Sequence, residues 1–215
     1  MPERFDAAIV GGGPAGALAA RLLAQRGWRV LLVERGARNR NKTCGHCLAG
    51  RALPLLHEAG LLERVRAIAS GQPASLRVHD ERGSCLSAPI AADAHGENLI
   101  VPRSQFDQLL RDAAAEAGAT VWHDAAARVV RDHSEQSQLR VRLPSQQIDV
   151  ECRLLIGADG VGSAVARAGG LADASNAGRK FGFAFDVAAN ADAIESGAIE
   201  MFLAPGGYLG VVRQN

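Results

Sequence analysis

The beginning of the chain alternates apolar runs with a helical pattern. Phe5 to Val10 form a short apolar run, and small and apolar residues then recur at helical spacing from Ala15 to Arg26. A second apolar run extends from Trp28 to Glu34. Because a glycine-rich stretch separates the first run from the helix, the pattern predicts a complete βαβ unit with a tight first turn.

Weaker patterns predict the elements of the remaining chain. Helical spacing of apolar residues covers 51–59, 61–69, 103–117 and 164–167. Strand patterns cover 75–80, 85–90, 99–101, 120–122, 127–131, 138–143, 148–152 and 154–156, the last of them fully apolar as in a buried strand. Three further segments alternate as in an antiparallel sheet: 181–188, 198–203 and 208–213.

Two domains account for these patterns. We expect residues 1–74 and 91–178 to form a nucleotide-binding α/β domain of the Rossmann type. Residues 75–90 read as a β-hairpin, and we expect them to join residues 179–215 in the sheet of a β-rich substrate domain. Because the last strand pattern ends close to the end of the sequence, we expect that sheet to be incomplete and the sequence to be C-terminally truncated.

The first turn carries Gly11-x-Gly13-x-x-Gly16, and Glu34 ends the second apolar run. Gly11 permits the turn, Gly13 lets the backbone approach a pyrophosphate, and Gly16 lets the helix pack closely on the strand. The helix N-terminus offers N–H groups to phosphates, and Glu34 is placed to accept ribose hydroxyls. This combination predicts dinucleotide binding; the alternative is a glycine-rich turn in another α/β protein. The cofactor-binding residues predicted in this unit are Gly11, Gly13, Ala15, Gly16, Glu34 and Arg35.

A second glycine-rich loop follows the apolar run 154–156. It begins Gly157-Ala158-Asp159-Gly160 and leads into a short helical pattern. A single Asp-Gly pair is an ordinary turn signal. Here the Asp-Gly pair directly follows a buried strand and lies downstream of a dinucleotide motif in the sequence. This context predicts a second loop that reaches the cofactor. Asp159 would accept a hydrogen bond from a ribityl hydroxyl or orient water at the pyrophosphate.

Together these motifs resemble the FAD-dependent oxidoreductases of the p-hydroxybenzoate hydroxylase fold, which include geranylgeranyl reductases and class A flavin monooxygenases. The resemblance covers nearly the whole chain, and it also rests on Pro102, Arg103, Phe106, Asp107, Leu109 and Leu110. It implies a glutathione reductase-like FAD-binding domain, with FAD as the tightly held dinucleotide and NAD(P)H as its transient reductant. It places Glu34 on the adenosine ribose, Arg103 near the ribityl-pyrophosphate region, and Asp159-Gly160 in the loop common to FAD and NAD(P)H handling.

The segment 42–53 is similar to the geranylgeranyl reductase branch of that family. The resemblance implies a loop near the flavin ring, where Cys44 or His46 would touch the isoalloxazine or the substrate. Cys44 and Cys47 have three interpretations: a structural zinc site, a redox Cys-x-x-Cys pair, or reduced cysteines packed in a loop. A zinc site needs four ligands, and the other two cysteines are isolated in sequence, so we expect no metal.

Two departures from the family pattern bear on function. No Gly-Asp dipeptide occurs in the sequence, although these flavoproteins complete the FAD site with one. The segment around Pro205 and Tyr208 resembles prenyl reductases, but Gly210 stands where those proteins continue with tryptophan. We therefore expect a geranylgeranyl reductase-like enzyme, and three alternatives stay open: a flavin monooxygenase, an NAD(P)-dependent dehydrogenase, and a non-catalytic nucleotide-binding fragment.

The composition of the chain limits the classes of partner that it can be expected to bind. The net charge of +1 provides no electrostatic case for nucleic acid or an anionic membrane. No apolar run is long enough to span a bilayer. Four cysteines in 215 residues do not form a disulfide scaffold, so the expected compartment is the cytoplasm. The expected partner is a lipophilic or aromatic small molecule.

Overall fold

A computed structural model describes residues 1–38, 40, 42–92, 96–132, 136–171, 182–188 and 194–214. The chain divides into two compact units. Unit 1 is Met1–Arg40 with Asp107–Lys180, and unit 2 is Asn41–Phe106 with Phe181–Asn215. Among the described residues, no helix is long and apolar enough to cross a membrane.

Unit 1 is built on a six-stranded sheet in the order β7-β2-β1-β10-β9-β8. The strands β7, β2, β1 and β10 are parallel, and β9 and β8 form an antiparallel extension. The strands are β1 (Glu3–Val10), β2 (Val30–Val33), β7 (Thr120–Trp122), β8 (Ala126–Asp132), β9 (Ser137–Arg142) and β10 (Gln147–Gly157). The helices are α1 (Pro14–Gln25), α5 (Ala164–Ala168) and the C-terminal part of α4 (Arg103–Glu116).

The predicted βαβ unit is confirmed as β1, α1 and β2. Helix α1 begins at Pro14, whose missing N–H costs nothing at a first helical position. Its buried residues are all small, Gly16, Ala17, Ala20 and Ala24. The strands contribute larger apolar side chains, and Ile9, Leu31 and Leu32 are fully buried. The small helix face therefore lets α1 lie close to a sheet that is itself apolar.

One predicted boundary in unit 1 is wrong. The patterns at 148–152 and 154–156 belong to a single strand, β10, which pairs antiparallel with β9 and parallel with β1. Arg153 separates the two patterns in the sequence, but Cys152 and Leu154 on either side of it both pair with β1. The side chain of Arg153 is 79% exposed and lies near Asp6, so it does not interrupt the strand. The second half of β10 is also not fully buried, because Leu154 is 40% exposed.

Unit 2 contains a four-stranded sheet in the order β12-β11-β4-β5 and a small two-stranded sheet of β3 and β6. The strands are β3 (Cys47–Leu48), β4 (Ser75–His79), β5 (Cys85–Pro89), β6 (Leu99–Ile100), β11 (Ala198–Ala204) and β12 (Gly207–Val212). A 3₁₀ turn (Gly50–Ala52) leads into α2 (Leu53–Glu58), and α3 (Leu62–Ile68) follows. The predicted hairpin at 75–90 is confirmed as β4 and β5.

The sheet of unit 2 corrects two expectations. It is mixed rather than antiparallel, because β11 pairs parallel with β4. The strand predicted from Phe181 is absent over 182–188; Phe181 itself lies outside the described residues. In that segment Phe183, Phe185 and Val187 are 74–81% exposed, so an alternating pattern here does not correspond to a half-buried strand.

Candidate functional site

The carboxyl ends of three parallel strands define the candidate site in unit 1. Strand β1 lies between β2 and β10, and the register aligns their last residues, Val10 with Val33 and Val10 with Gly157. The chain leaves β1 toward β2 through α1, whereas β10 lies on the other side of β1. Ligands of open α/β sheets bind at such a switch point, outside the carboxyl ends of the strands.

Two glycines allow three backbone segments to meet at this edge. Gly11 has φ +108°, and a Cβ there would lie 2.3 Å from the carbonyl oxygen of Ala158. A Cβ on Gly16 would lie 1.9 Å from the carbonyl oxygen of Gly11. The N–H of Ala158 donates to the carbonyl of Val10 at 2.8 Å, which joins the second glycine-rich loop to the first turn. Neither glycine can be replaced without moving backbone.

Glu34 is held in place by backbone N–H groups. Its Oε2 accepts a hydrogen bond from the N–H of Gly12 at 2.8 Å, and its Oε1 accepts from the N–H of Gly36 at 2.6 Å. A carboxylate has about four acceptor positions, so each oxygen keeps capacity for one further donor. The carboxylate is therefore oriented by the turn and can still accept from ribose hydroxyls.

The N-terminus of α1 lies at the same edge of the sheet. Gly13 is its N-cap, in extended conformation, with no side chain bonded to the first-turn N–H groups and no acidic residue in that turn. Those N–H groups and the helix dipole suit an anionic group. With the spare acceptor positions of Glu34, the residues present fit a diphosphate and its neighbouring ribose. Ala15 and Arg35, also predicted here, are exposed at this turn and after β2.

Asp159 is engaged within its own loop. Its Oδ1 accepts from the hydroxyl of Ser163 at 2.5 Å, and its Oδ2 accepts from the N–H of Ala164 at 2.6 Å. The Ser163 oxygen in turn accepts from the N–H of Ala166 at the start of α5. Partial burial works to raise the pKa of Asp159, but these hydrogen bonds outweigh it and lower the pKa. The carboxylate fixes the loop, and the left-handed Gly160 (φ +79°) follows it.

Sequence reasoning missed Arg111 on helix α4. Its side chain is buried, and its Nη1 donates to the carbonyl of Gly12 at 3.0 Å. Its Nη2 donates to Oε1 of Gln108 at 2.9 Å. Burial lowers the pKa of Arg111, and the charge of Glu34 acts in the opposite direction. The sequence carried no local signal for it, because at helical spacing Arg111 points away from the apolar stripe of Phe106, Leu110 and Ala113.

His123, directly after β7, is the second residue that sequence reasoning missed. Burial lowers the pKa of His123, and the positive charges of Arg38 and Arg111 lower it further. Its Nδ1 and the Nε of Arg111 are buried atoms without a hydrogen-bond partner in the described part of the chain. Neutral His123 thus belongs to the same polar cluster as Glu34, and nothing in its local sequence indicated this.

The remaining predicted residues lie in unit 2. His46 has φ +58°, its carbonyl accepts from the N–H of Val101 at 2.7 Å, and its Nδ1 accepts from the N–H of Arg103 at 3.3 Å. The ring therefore caps the beginning of α4. Cys44 and Cys47 are free thiols, and partial burial and then Cys44 raise the pKa of Cys47. A raised pKa disfavours the reactive thiolate of a redox pair.

Metal ligation has no support among the residues that the structure describes. No group of three or more His, Cys, Asp or Glu side chains lies close enough there to hold an ion.

Comparisons with known proteins agree on one family. Residues 4–204 match the FAD binding domain family. The digeranylgeranylglycerophospholipid reductase of Thermoplasma acidophilum is 30% identical over 173 residues, which cover 79% of this chain and 42% of that protein. The chain therefore spans less than half the length of this curated relative.

Two solved structures extend the comparison. A geranylgeranyl bacteriochlorophyll reductase-like protein from Thermoplasma acidophilum is similar with a TM-score of 0.76 and 24% identity, over 99% of this chain and 54% of that chain. The flavin-dependent monooxygenase PieE, solved in complex with FAD and substrate, has a TM-score of 0.68 and 26% identity, over 79% of this chain and 33% of that chain.

Proposed function

The chain belongs to the FAD binding domain family, and from that membership we propose that it is the nucleotide-holding part of an FAD-dependent reductase acting on a lipophilic molecule. The fold class expected from the sequence, a glutathione reductase-like FAD-binding fold of the p-hydroxybenzoate hydroxylase subtype, is confirmed. The proposal concerns the cofactor's place in unit 1, its reductant and the substrate class.

One observation carries the proposal: the glycine turn, Glu34 and the Asp159 loop converge at one edge of the sheet. The first-turn N–H groups of α1 would bind the diphosphate, and Glu34 would accept from the adenosine ribose. Asp159, fixed by Ser163 and Ala164, would keep the second loop close to the turn through the backbone of Ala158. Hydrogen bonds within the protein hold Glu34 and Asp159 in place, which lowers the free energy of ordering on binding.

The names of the relatives support the substrate class, and the reductant is the one that the sequence resemblance implies. FAD held there would supply hydride transfer between a nicotinamide and an unsaturated substrate. We propose NAD(P)H as the hydride source; its oxidation to NAD(P)⁺ provides the electron pair, and solvent provides the proton that completes reduction of a carbon–carbon double bond. The identity to a digeranylgeranylglycerophospholipid reductase favours an isoprenoid chain as the lipophilic substrate. Free thiols at all four cysteines suit a reducing compartment such as the cytoplasm.

A flavin monooxygenase of the same fold is the second candidate. It is favoured by the likeness to PieE, a flavin-dependent monooxygenase. The two candidates share the cofactor and the reductant, and they differ in whether the substrate gains hydrogen or oxygen.

The test is product analysis with the FAD-loaded protein, NADPH or NADH, and a geranylgeranyl lipid, with and without isotopically labelled O₂. We expect loss of the visible flavin band on adding NAD(P)H without oxygen, and product that is heavier by the mass of added hydrogen. Labelled oxygen in the product would overturn the reductase proposal in favour of the monooxygenase. A flavin band that persists with both nicotinamides would overturn both, and it would favour a nucleotide-binding fragment without catalysis.

A further inference from the structure

We propose that Arg111 is a positioning residue which, together with Glu34, holds Gly12 in the orientation that dinucleotide binding at this turn requires. The inference rests on the proposed cofactor site in unit 1. It assigns a role to a residue outside the glycine motif and 99 positions away from Gly12 in sequence.

The geometry at Gly12 is the first support. Its N–H donates to Glu34 at 2.8 Å, and its carbonyl accepts from Arg111 at 3.0 Å. The two side chains also pack against its Cα: a Cβ there would lie 2.8 Å from the Cβ of Glu34 and 3.0 Å from the Cδ of Arg111. A carboxylate therefore accepts from the N–H of Gly12, and a guanidinium donates to its carbonyl. The space between them admits no side chain.

The second support is that Arg111 is itself held. Gln108 accepts from Nη2 of Arg111 at 2.9 Å and donates to Oδ1 of Asp112 at 2.7 Å. Asp112 lies 3.6 Å from Nη1 of Arg38 in the segment that follows β2. The guanidinium thus connects the glycine turn to a polar network on α4. It can donate to Gly12 and Gln108 at the same time because its N–H donors form a rigid fork.

The third support is energetic. Arg111 is 4% exposed, and its Nε has no hydrogen-bond partner in the described part of the chain. A buried charge with an unsatisfied donor is a poor source of stability, and apolar residues of similar size often serve folding as well or better. Glycine, in contrast, loses more conformational freedom on folding than any other residue, so a glycine-rich turn needs contacts that order it. The benefit of Arg111 is therefore expected in the order of the turn rather than in global stability.

The experiment compares Arg111→Met and Arg111→Lys with the wild-type chain. Arg21 offers a matched control: its Nη1 donates to the carbonyl of Ala113 at 2.7 Å, which links α1 to α4 away from the glycine turn. Arg21→Met likewise removes a hydrogen bond from an arginine to a backbone carbonyl, but one that does not involve the glycine turn. Three readouts are taken for each variant: FAD and ADP-ribose affinity by calorimetry, thermal midpoint, and amide hydrogen exchange by mass spectrometry.

We expect Arg111→Met to weaken FAD and ADP-ribose by the same factor, about tenfold, since it removes one charge-assisted hydrogen bond that orders the turn. Arg111→Lys is expected to fall between Arg111→Met and wild type, because an ammonium keeps the charge but loses the fork. Amide exchange in residues 10–17 is expected to accelerate in Arg111→Met, whereas exchange in β8 and β9 stays at the wild-type rate. Arg21→Met is expected to leave both affinities unchanged.

Equal affinities and equal exchange at residues 10–17 in Arg111→Met and wild type would overturn the inference. So would acceleration spread evenly over all peptides, which indicates a purely structural role. If the wild-type chain binds no FAD, the proposed function fails, while the exchange data still decide whether Arg111 orders the turn.

Discussion

Replacement of Gly16 by alanine tests the close approach of helix and turn on which the site depends. An ideal Cβ at Gly16 would lie 1.9 Å from the carbonyl oxygen of Gly11 and 3.1 Å from the Cβ of Ala158. A close C···O contact is about 3.3 Å, so helix and turn must separate by roughly 1.4 Å. The oxygen belongs to backbone and cannot swing away as a flexible side chain would.

Two effects of opposite sign decide the stability of Gly16→Ala. Alanine is favoured over glycine in a helix by up to about 1 kcal/mol. Overpacking of a close-packed contact costs about 1–3 kcal/mol. Because the contact is with backbone, we expect overpacking to dominate, with a net loss of about 1–2 kcal/mol. Displacement of the first-turn N–H groups should also weaken FAD by at least about tenfold, the equivalent of one hydrogen bond to a charged group.

The assay measures urea unfolding and FAD affinity on the same preparations, with Gly27→Ala as control. Gly27 has φ +82° and nothing within 4 Å of its ideal Cβ, so alanine there is strained without a clash. The left-handed conformation costs about 1–2 kcal/mol, a loss similar to that expected for Gly16→Ala. The two variants should therefore match in stability and differ in FAD binding. Equal FAD affinity in both would refute the reasoning.

Three further outcomes follow from the polar groups of unit 1. Glu34→Gln replaces one carboxylate oxygen with an NH₂ group and leaves a backbone donor unpaired, so we expect a loss of about 1–3 kcal/mol in the free energy of unfolding, measured in urea. The hydrogen bonds to Asp159 lower its pKa although partial burial opposes them. As pH falls, the unfolded chain therefore takes up the proton first. The free energy of unfolding of wild type should exceed that of Asp159→Asn by its full amount above about pH 4, and the difference should disappear in stronger acid. A difference that persists in stronger acid would contradict the hydrogen bonds assigned to Asp159. Burial, and then Arg38 and Arg111, lower the pKa of His123, so thermal midpoints from about pH 7.5 to 5 should fall more steeply in wild type than in His123→Gln, because the unfolded chain protonates first below about pH 6.5. Parallel curves would contradict a pKa of His123 below its usual value.

The elements of the site that could be predicted are local in sequence. Gly11 lies in the turn before α1 and Gly16 in the first turn of that helix, and the requirement for glycine at both follows from the close approach of three backbone segments. Glu34 directly follows strand β2, whose last residue pairs with Val10, so a short apolar pattern places it beside the turn. Asp159 was predicted to reach the cofactor from its loop, and the structure shows that its carboxylate is bonded to Ser163 and Ala164.

The elements that could not be predicted depend on distant pairing. Arg111 meets Gly12 only because α4 packs behind the glycine turn, and an arginine in an amphipathic helix ordinarily indicates a solvated face. His123 joins the cluster because β7 pairs with β2, which no local pattern specifies. Residues 182–188 show the same dependence on pairing. Their alternating pattern predicted a strand, but such a pattern forms a strand only where a neighbouring strand pairs with it.

Equilibrium titration of the 215-residue chain with FAD, followed by flavin fluorescence and the visible spectrum, tests the central claim most directly. The account predicts a saturable change at one FAD per chain, with an affinity at least about tenfold weaker in Gly16→Ala and unchanged in Gly27→Ala. A spectrum and fluorescence identical to those of free FAD at every protein concentration would contradict it.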